Sequence, residues 1–218
     1  MVPCMTEADP DEHARRLAAH SIAADNPTGW FERLYTEAEN GTAVVPWDRA
    51  APMQLLVEWA QGLDGTGRRA LVVGCGLGMD AEFVAGLGFD TVAFDISETA
   101  VRTARARFPD STVHYVAANL LDPPADWRAA FDLVVESLTV QSMPASLREA
   151  ATVHVGRMVA PGGTLLVIAN AYDENNRYEG PPWPLTRQQV EAFAADGLRL
   201  DKLEQPNGRW RAELSRAA

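Results

Sequence analysis

Apolar residues along this chain follow two different rhythms. Up to about residue 65 they recur at helical spacing. From Asp11 to about Ala24, Leu17, Ala18 and Ile22 fall near one face, and "ADNPTGW" then breaks the pattern. "WFERLYTEA" predicts a second short helix, "NGTAVVPWDRAAP" a loop, and "MQLLVEWAQGL" a third helix closed by the glycine-rich "GLDGTG". From Arg69 short, continuous apolar runs alternate with helical stretches. "RALVVG", "DTVAFD", "TVHYVA", "FDLVVES" and "TLLVIAN" predict five buried strands. Between them lie "MDAEFVAGL", a helix capped by Ser97 with Ala100, Val101, Ala104 and Phe108 facing inward, and a helix from Ala145 to Val159 that "APGG" stops.

Such alternation predicts an α/β fold, doubly wound around a mainly parallel sheet. The tail departs from it. After a helix at "TRQQVEAFAADG", the segment "LRLDKLEQPNGRWRAEL" reads as two strands joined at an Asn-Gly turn, a hairpin signature. One of those strands must run against the rest, which makes a seven-stranded sheet with a C-terminal antiparallel hairpin. The expected organisation is one domain over 1–218, with 1–65 as an N-terminal helical lid and 66–218 as a Rossmann-like core.

Composition narrows the partners. Of 218 residues, 47% are hydrophobic and 22% charged, enough apolar material for one core. Lys and Arg number 19 against 30 acids, a net charge of −11 with no basic run, so a phosphate backbone would be repelled and nucleic acid is not expected. Solubility explains the acidic surface by itself. The N-terminus lacks the apolar segment of a secretory signal, and runs such as "TLLVIANA" are too short to span a bilayer. A cytoplasmic protein without a membrane partner is expected, as a monomer with a dimer as the alternative. Cys4 and Cys75 lie far apart without metal or redox spacing, so no disulfide is expected.

The chemistry concentrates in "LVVGCGLGMDA", Leu71 to Ala81. A strand runs into Gly74, Gly76 and Gly78, then into a helix with Asp80 in its first turn. Glycine lets the backbone approach a ligand closely, and the helix N-terminus behind it carries partial positive charge. Dinucleotide folds space these glycines as G-x-G-x-x-G; here the spacing is G-x-G-x-G, with Met79 where the third would stand. Asp95, 21 residues after Gly74 and ending the next strand, can accept both hydroxyls of a ribose. From the turn alone the cofactor is either a dinucleotide or S-adenosylmethionine.

Three further features resemble class I S-adenosylmethionine-dependent methyltransferases: the "APGGTLLVI" junction, the terminal hairpin, and "VAANLLD" after the third strand, where Asn119 and Leu120 fill the adenine positions. Four stretches resemble a narrower group, the thiopurine, thiol and halide methyltransferases. They are "FERLYTEAENGTAVVPWD", "ALVVGCGLGMDAEFVAGLGFDTVAFDIS", "FDLVVESLTVQSMP" and "EGPPWPLTRQQVEAF". The Gly-Pro-Pro-aromatic step of the last is unusual outside that group. The resemblance implies cofactor contacts from Tyr35, Trp47, the glycine turn with Asp80, Asp95, Ile96, Asn119 and Leu120, with Trp30 and Phe31 nearby. S-adenosylmethionine is then the cofactor and S-adenosylhomocysteine its product. Where many relatives carry Asp-Arg after the fourth strand, this chain has Glu136 and Ser137. Glu136 becomes the candidate catalytic residue, as a base or as a ligand of the methionine ammonium. With the arginine gone, a strongly anionic acceptor is not expected.

Candidate acceptor contacts are Trp30 and, in the loop "YDENNRYEGPPW", Arg177, Tyr178 and Trp183. No His, Asp and Glu cluster has metal-ligand spacing, so no metal site is expected. Among the histidines, His114 and His154 read as structural, while His13 and His20 could line an acceptor mouth. The expected reaction is methyl transfer to a thiol or thione sulfur of a small molecule. Methylation of oxygen or nitrogen on a small aromatic metabolite is the alternative, and an NAD(P)-dependent oxidoreductase the remote one.

Overall fold

In the computed structural model, residues 9–218 are described, and Cys4 lies outside them. The strands are β1 (Arg69–Val73), β2 (Asp90–Asp95), β3 (His114–Ala117), β4 (Phe131–Ser137), β5 (Val159–Asn170), β6 (Leu198–Glu204) and β7 (Arg209–Arg216). They form one sheet in the order β3-β2-β1-β4-β5-β7-β6. The first five run parallel; β7 pairs antiparallel with both β5 and β6.

Period-2 alternation explains why the central runs are apolar throughout. Leu71 and Val73 of β1 face one side, with Val134, Leu165, Val167 and Trp210. Ala70 and Val72 face the other, with Leu133, Val135, Leu166 and Ile168. Both sides are covered, so neither set can be polar. The first side is roofed by α6 (Ala145–Arg157) and α7 (Arg187–Glu191), through Ala151, Val155 and Val190. The second is roofed by α3 (Gln54–Trp59), α4 (Met79–Gly86) and α5 (Glu98–Arg107), through Leu55, Leu56, Ala81, Val84, Val101 and Ala104. The strand order reverses between β1 and β4, which opens a crevice beyond the carboxyl ends of the strands.

Several boundaries differ from the pattern. The "APGG" segment does not end a helix ahead of β5 but lies inside the strand. It is absorbed by an irregularity where Phe131 pairs with Val159 and Leu133 already pairs with Thr164. α7 has five residues and α3 six, because Phe193 and the residues after Trp59 turn into the core and a loop instead of continuing a helical face. Three single turns of 3-10 helix, at Ala125–Trp127, Val140–Ser142 and Pro206–Gly208, carry no periodic signal. At the last, Asn207 and Gly208 both have positive φ, 52° and 74°, the conformation that an Asn-Gly hairpin favours.

Helices α1 (Pro10–Ala23) and α2 (Gly29–Glu39) pack on each other through Ala14, Leu17, Ala18, Trp30 and Leu34. Ile22, expected on that face, is exposed instead. This helical pair is joined to α5 by an apolar contact of Tyr35 and Ala38 with Ala100 and by a set of hydrogen bonds. Glu32 on α2 accepts hydrogen bonds from Ser97 Oγ (2.6 Å), Thr99 N (3.2 Å) and Thr99 Oγ1 (2.6 Å) at the start of α5. A carboxylate at a helix N-terminus meets unpaired amides and a favourable dipole. Ser97 caps the same helix through Ala100 N, as its position suggested.

This contact titrates. Burial alone would raise the Glu32 pKa, but the hydrogen bonds from Ser97, Thr99 and Thr36 hold it below the usual glutamate value. A depressed carboxyl stabilises the fold above its unfolded value of about 4.3, and the contribution is lost as pH falls through the folded value. Glu32→Gln should lower stability by about 1 kcal/mol at neutral pH. In urea melts the gap to the parent should close as pH drops below about 4.3. A gap that stays constant would show that the charge contributes nothing.

Candidate active site

The crevice is a cavity of about 480 Å³, within the range of small-molecule sites. Its floor is the turn from β1 to α4. Gly74, Gly76 and Gly78 all have positive φ (58°, 52° and 94°), so the turn curls upon itself and presents backbone to the cavity. At Gly76 a methyl group would sit 3.0 Å from the Tyr35 hydroxyl, and at Gly78 one would strike the Tyr115 hydroxyl. The first glycine requirement keeps the cavity open; the second packs the helix against β3.

Asp95 joins this turn to the next one. Its Oδ2 accepts from Gly76 N and its Oδ1 from Ser97 N, both at 3.0 Å. Burial pushes its carboxyl up to about 6, against the pull of the Ser97, Gly76 and Ile96 amides. Ile96, Asn119 and Leu120 line the same end of the cavity. Asn119 Oδ1 is taken by Leu121 N at 2.9 Å, leaving its amide NH₂ available. Tyr35 and Trp47 border the cavity over Gly76. Their rings meet edge-on with centroids 6.1 Å apart, and Trp47 Nε1 donates to the Tyr35 hydroxyl at 2.7 Å. Burial and the Asp95 charge raise the Tyr35 pKa, which keeps that hydroxyl neutral.

Asp80 also borders the cavity, but protein donors occupy both its oxygens. Met53 N donates to Oδ1 at 2.7 Å and Arg49 Nη2 to Oδ2 at 2.9 Å. Its observed contacts tie the 46–53 loop to the glycine turn.

Glu136 is fully buried and absent from the cavity wall. Its Oε1 turns back onto the amides of Thr139 (2.8 Å) and Val140 (2.9 Å), and Oε2 has no partner. Burial raises this carboxyl to about 7, against those two amides. Strand alternation explains the position, since its neighbour Ser137 is the residue that borders the cavity. Trp30 is 1% exposed inside the N-terminal helices, stacked on Phe31 at 4.0 Å, and Phe31 borders the cavity in its stead. Arg177, Tyr178 and Trp183 do not line it either. Tyr178 packs at a tilt against Tyr172, Trp183 lies under Arg148, and their loop contributes Pro181 and Pro182. His13 pairs with Glu37 at 2.6 Å and is not on the wall, nor is His20. His114 is exposed on the edge strand. No group of three or more metal-ligating side chains occurs among the described residues.

The sequence reading missed Arg49, Met53, Gln141, Asn170 and Arg209, all of which border the cavity. Arg209 is the consequential one. The loss of the arginine after β4 suggested an acceptor end without positive charge; the first residue of β7 brings a guanidinium to the cavity from another element. Only the pairing of β7 with β5 brings it there, opposite Asn170.

Known proteins agree with this geometry. The family model described as "Thiopurine S-methyltransferase (TPMT)" matches residues 37–212. A probable thiol methyltransferase 2 of Arabidopsis thaliana is 25% identical over 174 residues, covering 79% of this chain and 74% of its own. The thiopurine S-methyltransferase of Psychrobacter cryohalolentis is 26% identical over 69% of this chain and 78% of its own. Among solved structures, a Burkholderia thailandensis 1,6-didemethyltoxoflavin-N1-methyltransferase with bound S-adenosylhomocysteine shares the fold. It superposes with a TM-score of 0.67 at 16% identity, over 99% of this chain and 93% of its own. A TehB-like methyltransferase from Corynebacterium glutamicum gives 0.60 at 19% identity, over 91% and 98%. The glycine cradle, the acid ending β2 and the family match agree: the chain belongs to the thiopurine S-methyltransferase family and is an S-adenosylmethionine-dependent small-molecule methyltransferase.

Proposed function

We propose that this enzyme methylates the sulfur of a small thiol or thione. The observation that carries the reading is the chemistry of one side of the cavity. Where the carboxyl ends of β4 and β5 meet the start of β7, the wall is Ser137, Leu138, Gln141, Met143, Asn170 and Arg209. This set offers no carboxylate, imidazole or amine to take a proton. A phenol, with pKa about 10, would need such a base, whereas a thiol near 8.5 ionises in part unaided. The thiol and thiopurine methyltransferases among the relatives support the same choice.

The bound cofactor supplies a methyl group on a sulfonium. In the transfer a lone pair of the acceptor sulfur forms the new S–C bond as the old one breaks. That bond's electrons stay on the departing sulfur, and the thiol proton goes to water. The protein's part is to align and to exclude water, which can contribute about 7–11 kcal/mol. We assign Asp95 to the ribose hydroxyls, Ile96, Asn119 and Leu120 to the adenine, and Tyr35, Trp47 and the turn Gly74–Gly78 to the rest of the cofactor. The helices α1 and α2 and the segment up to residue 65 act as a lid on a single domain, with Phe31 and Pro181–Pro182 over the acceptor. Glu136 acts through the 137–143 segment that its carboxylate holds in shape.

Two outcomes test these assignments. The Asp95 carboxyl must be ionised to accept from two hydroxyls. Because its pKa is raised to about 6, S-adenosylhomocysteine affinity should fall about tenfold per pH unit below that value. Asp95→Asn should weaken binding about 10–100-fold and flatten the profile. Calorimetry showing constant affinity from acid to neutral pH would remove Asp95 from the ribose.

Glu136→Gln keeps an oxygen for the Thr139 and Val140 amides. Thiol turnover by that variant should stay within about threefold of the parent, while a general base would cost ~10²–10⁴-fold. A loss of that larger size, in a protein that still binds S-adenosylhomocysteine normally, would make Glu136 the base.

A further inference from the structure

The donors on the β4, β5 and β7 side of the cavity form a connected set. Gln141 is 1% exposed, and its Oε1 accepts from Asn170 N at 2.6 Å. That bond fixes the amide orientation, so Nε2 is directed away from the strand, and it has no protein partner among the described residues. Asn170 Oδ1 in turn accepts from Arg209 Nε at 3.2 Å. The same guanidinium rests on Met53 Sδ through Nη1 at 3.8 Å. Two anchors from different elements therefore hold Arg209 in position, while Nη2 remains unused.

The charge balance of the wall is uneven in a telling way. Asp48 pairs with Arg107 at 2.8 Å, Asp80 with Arg49 at 2.9 Å, and Asp95 is held by two amides. Asp11, on α1, also borders the cavity. No carboxylate of the described residues lies within ion-pair distance of Arg209. A cation, an almost fully buried primary amide and a second amide thus border one apolar cavity with donor capacity to spare. Arg209 is exposed to the cavity mouth, so its guanidinium is free to exchange water for a ligand, while the amide of the buried Gln141 lacks an acceptor; a planar anion suits a guanidinium fork.

We propose that the methyl acceptor carries a carboxylate, received by Arg209 with the side-chain amides of Gln141 and Asn170. The inference rests on the methyltransferase reading of the cavity and narrows its acceptor to a sulfur compound that is also a carboxylate. It reverses the expectation drawn from the missing arginine after β4.

Binding separates this subsite from turnover. In protein saturated with S-adenosylhomocysteine, benzoate should bind and methyl benzoate should bind more weakly. Arg209→Gln should weaken benzoate about 10–100-fold and leave the ester unchanged, and Arg209→Lys should recover part of the loss by restoring the charge without the fork. In turnover, kcat/KM for 4-mercaptobenzoate should fall in Arg209→Gln by a factor about tenfold larger than that for thiophenol. Equal losses for benzoate and its ester would overturn the subsite. So would weakened S-adenosylhomocysteine binding with unchanged binding of methylthioadenosine, which lacks the amino-acid carboxylate, because Arg209 would then serve the cofactor. If benzoate binding depends on Arg209 but no thiol is methylated, the subsite stands and the sulfur assignment falls.

Discussion

A buried carboxylate between two turns organises this molecule. Asp95 ends β2 with its side chain out of water, where an ionised acid is costly unless hydrogen bonds compensate. The amides of Gly76 and Ser97 provide them, one from the turn after β1 and one from the turn after β2. That single group therefore sets the spacing of two loops that must face one ligand. Removing it would leave two buried amides unpaired and would release the glycine turn from its neighbour.

The same economy extends outward through carboxylates that do structural rather than chemical tasks. Asp80 fastens the 46–53 loop to the first turn of α4, Glu32 fastens α2 to the first turn of α5, and Glu136 shapes the segment after β4. Each meets backbone amides, and Asp80 and Glu32 meet them at or beside a helix start. A site constructed this way has few free acids left near the reacting atoms. That suits an in-line displacement, where alignment and dryness matter more than proton transfer.

Much of this was legible in the chain. The five parallel strands, the reversed β7 and the glycine turn follow from apolar runs, an Asn-Gly turn and glycine spacing, all local signals. Ser97 and Asp95 could be placed because a helix start and a strand end are local too. Trp30 and Glu136 behave differently because which way a side chain faces depends on packing. In α2, Trp30 turns into α1 while Phe31 next to it turns to the cavity; in β4, alternation sends Glu136 inward and Ser137 outward. Arg209 carried no signal at all. Its position comes from strand order, which puts the start of the last strand beside the end of the fifth.

That last point bears on how acceptor preference changes within such a fold. In this chain the residue after Glu136 is Ser137, and an arginine reaches the same crevice from the start of β7, so one element can supply a charge that another lacks. Comparing only the residues that follow β4 would then misjudge the acceptor. The cofactor half allows no comparable exchange, since Asp95, Gly76 and Ser97 hold one another through backbone amides within two adjacent turns. On the assignment proposed above, local bonds fix the cofactor end, whereas long-range pairing sets the acceptor end. The first can therefore stay constant while the second varies.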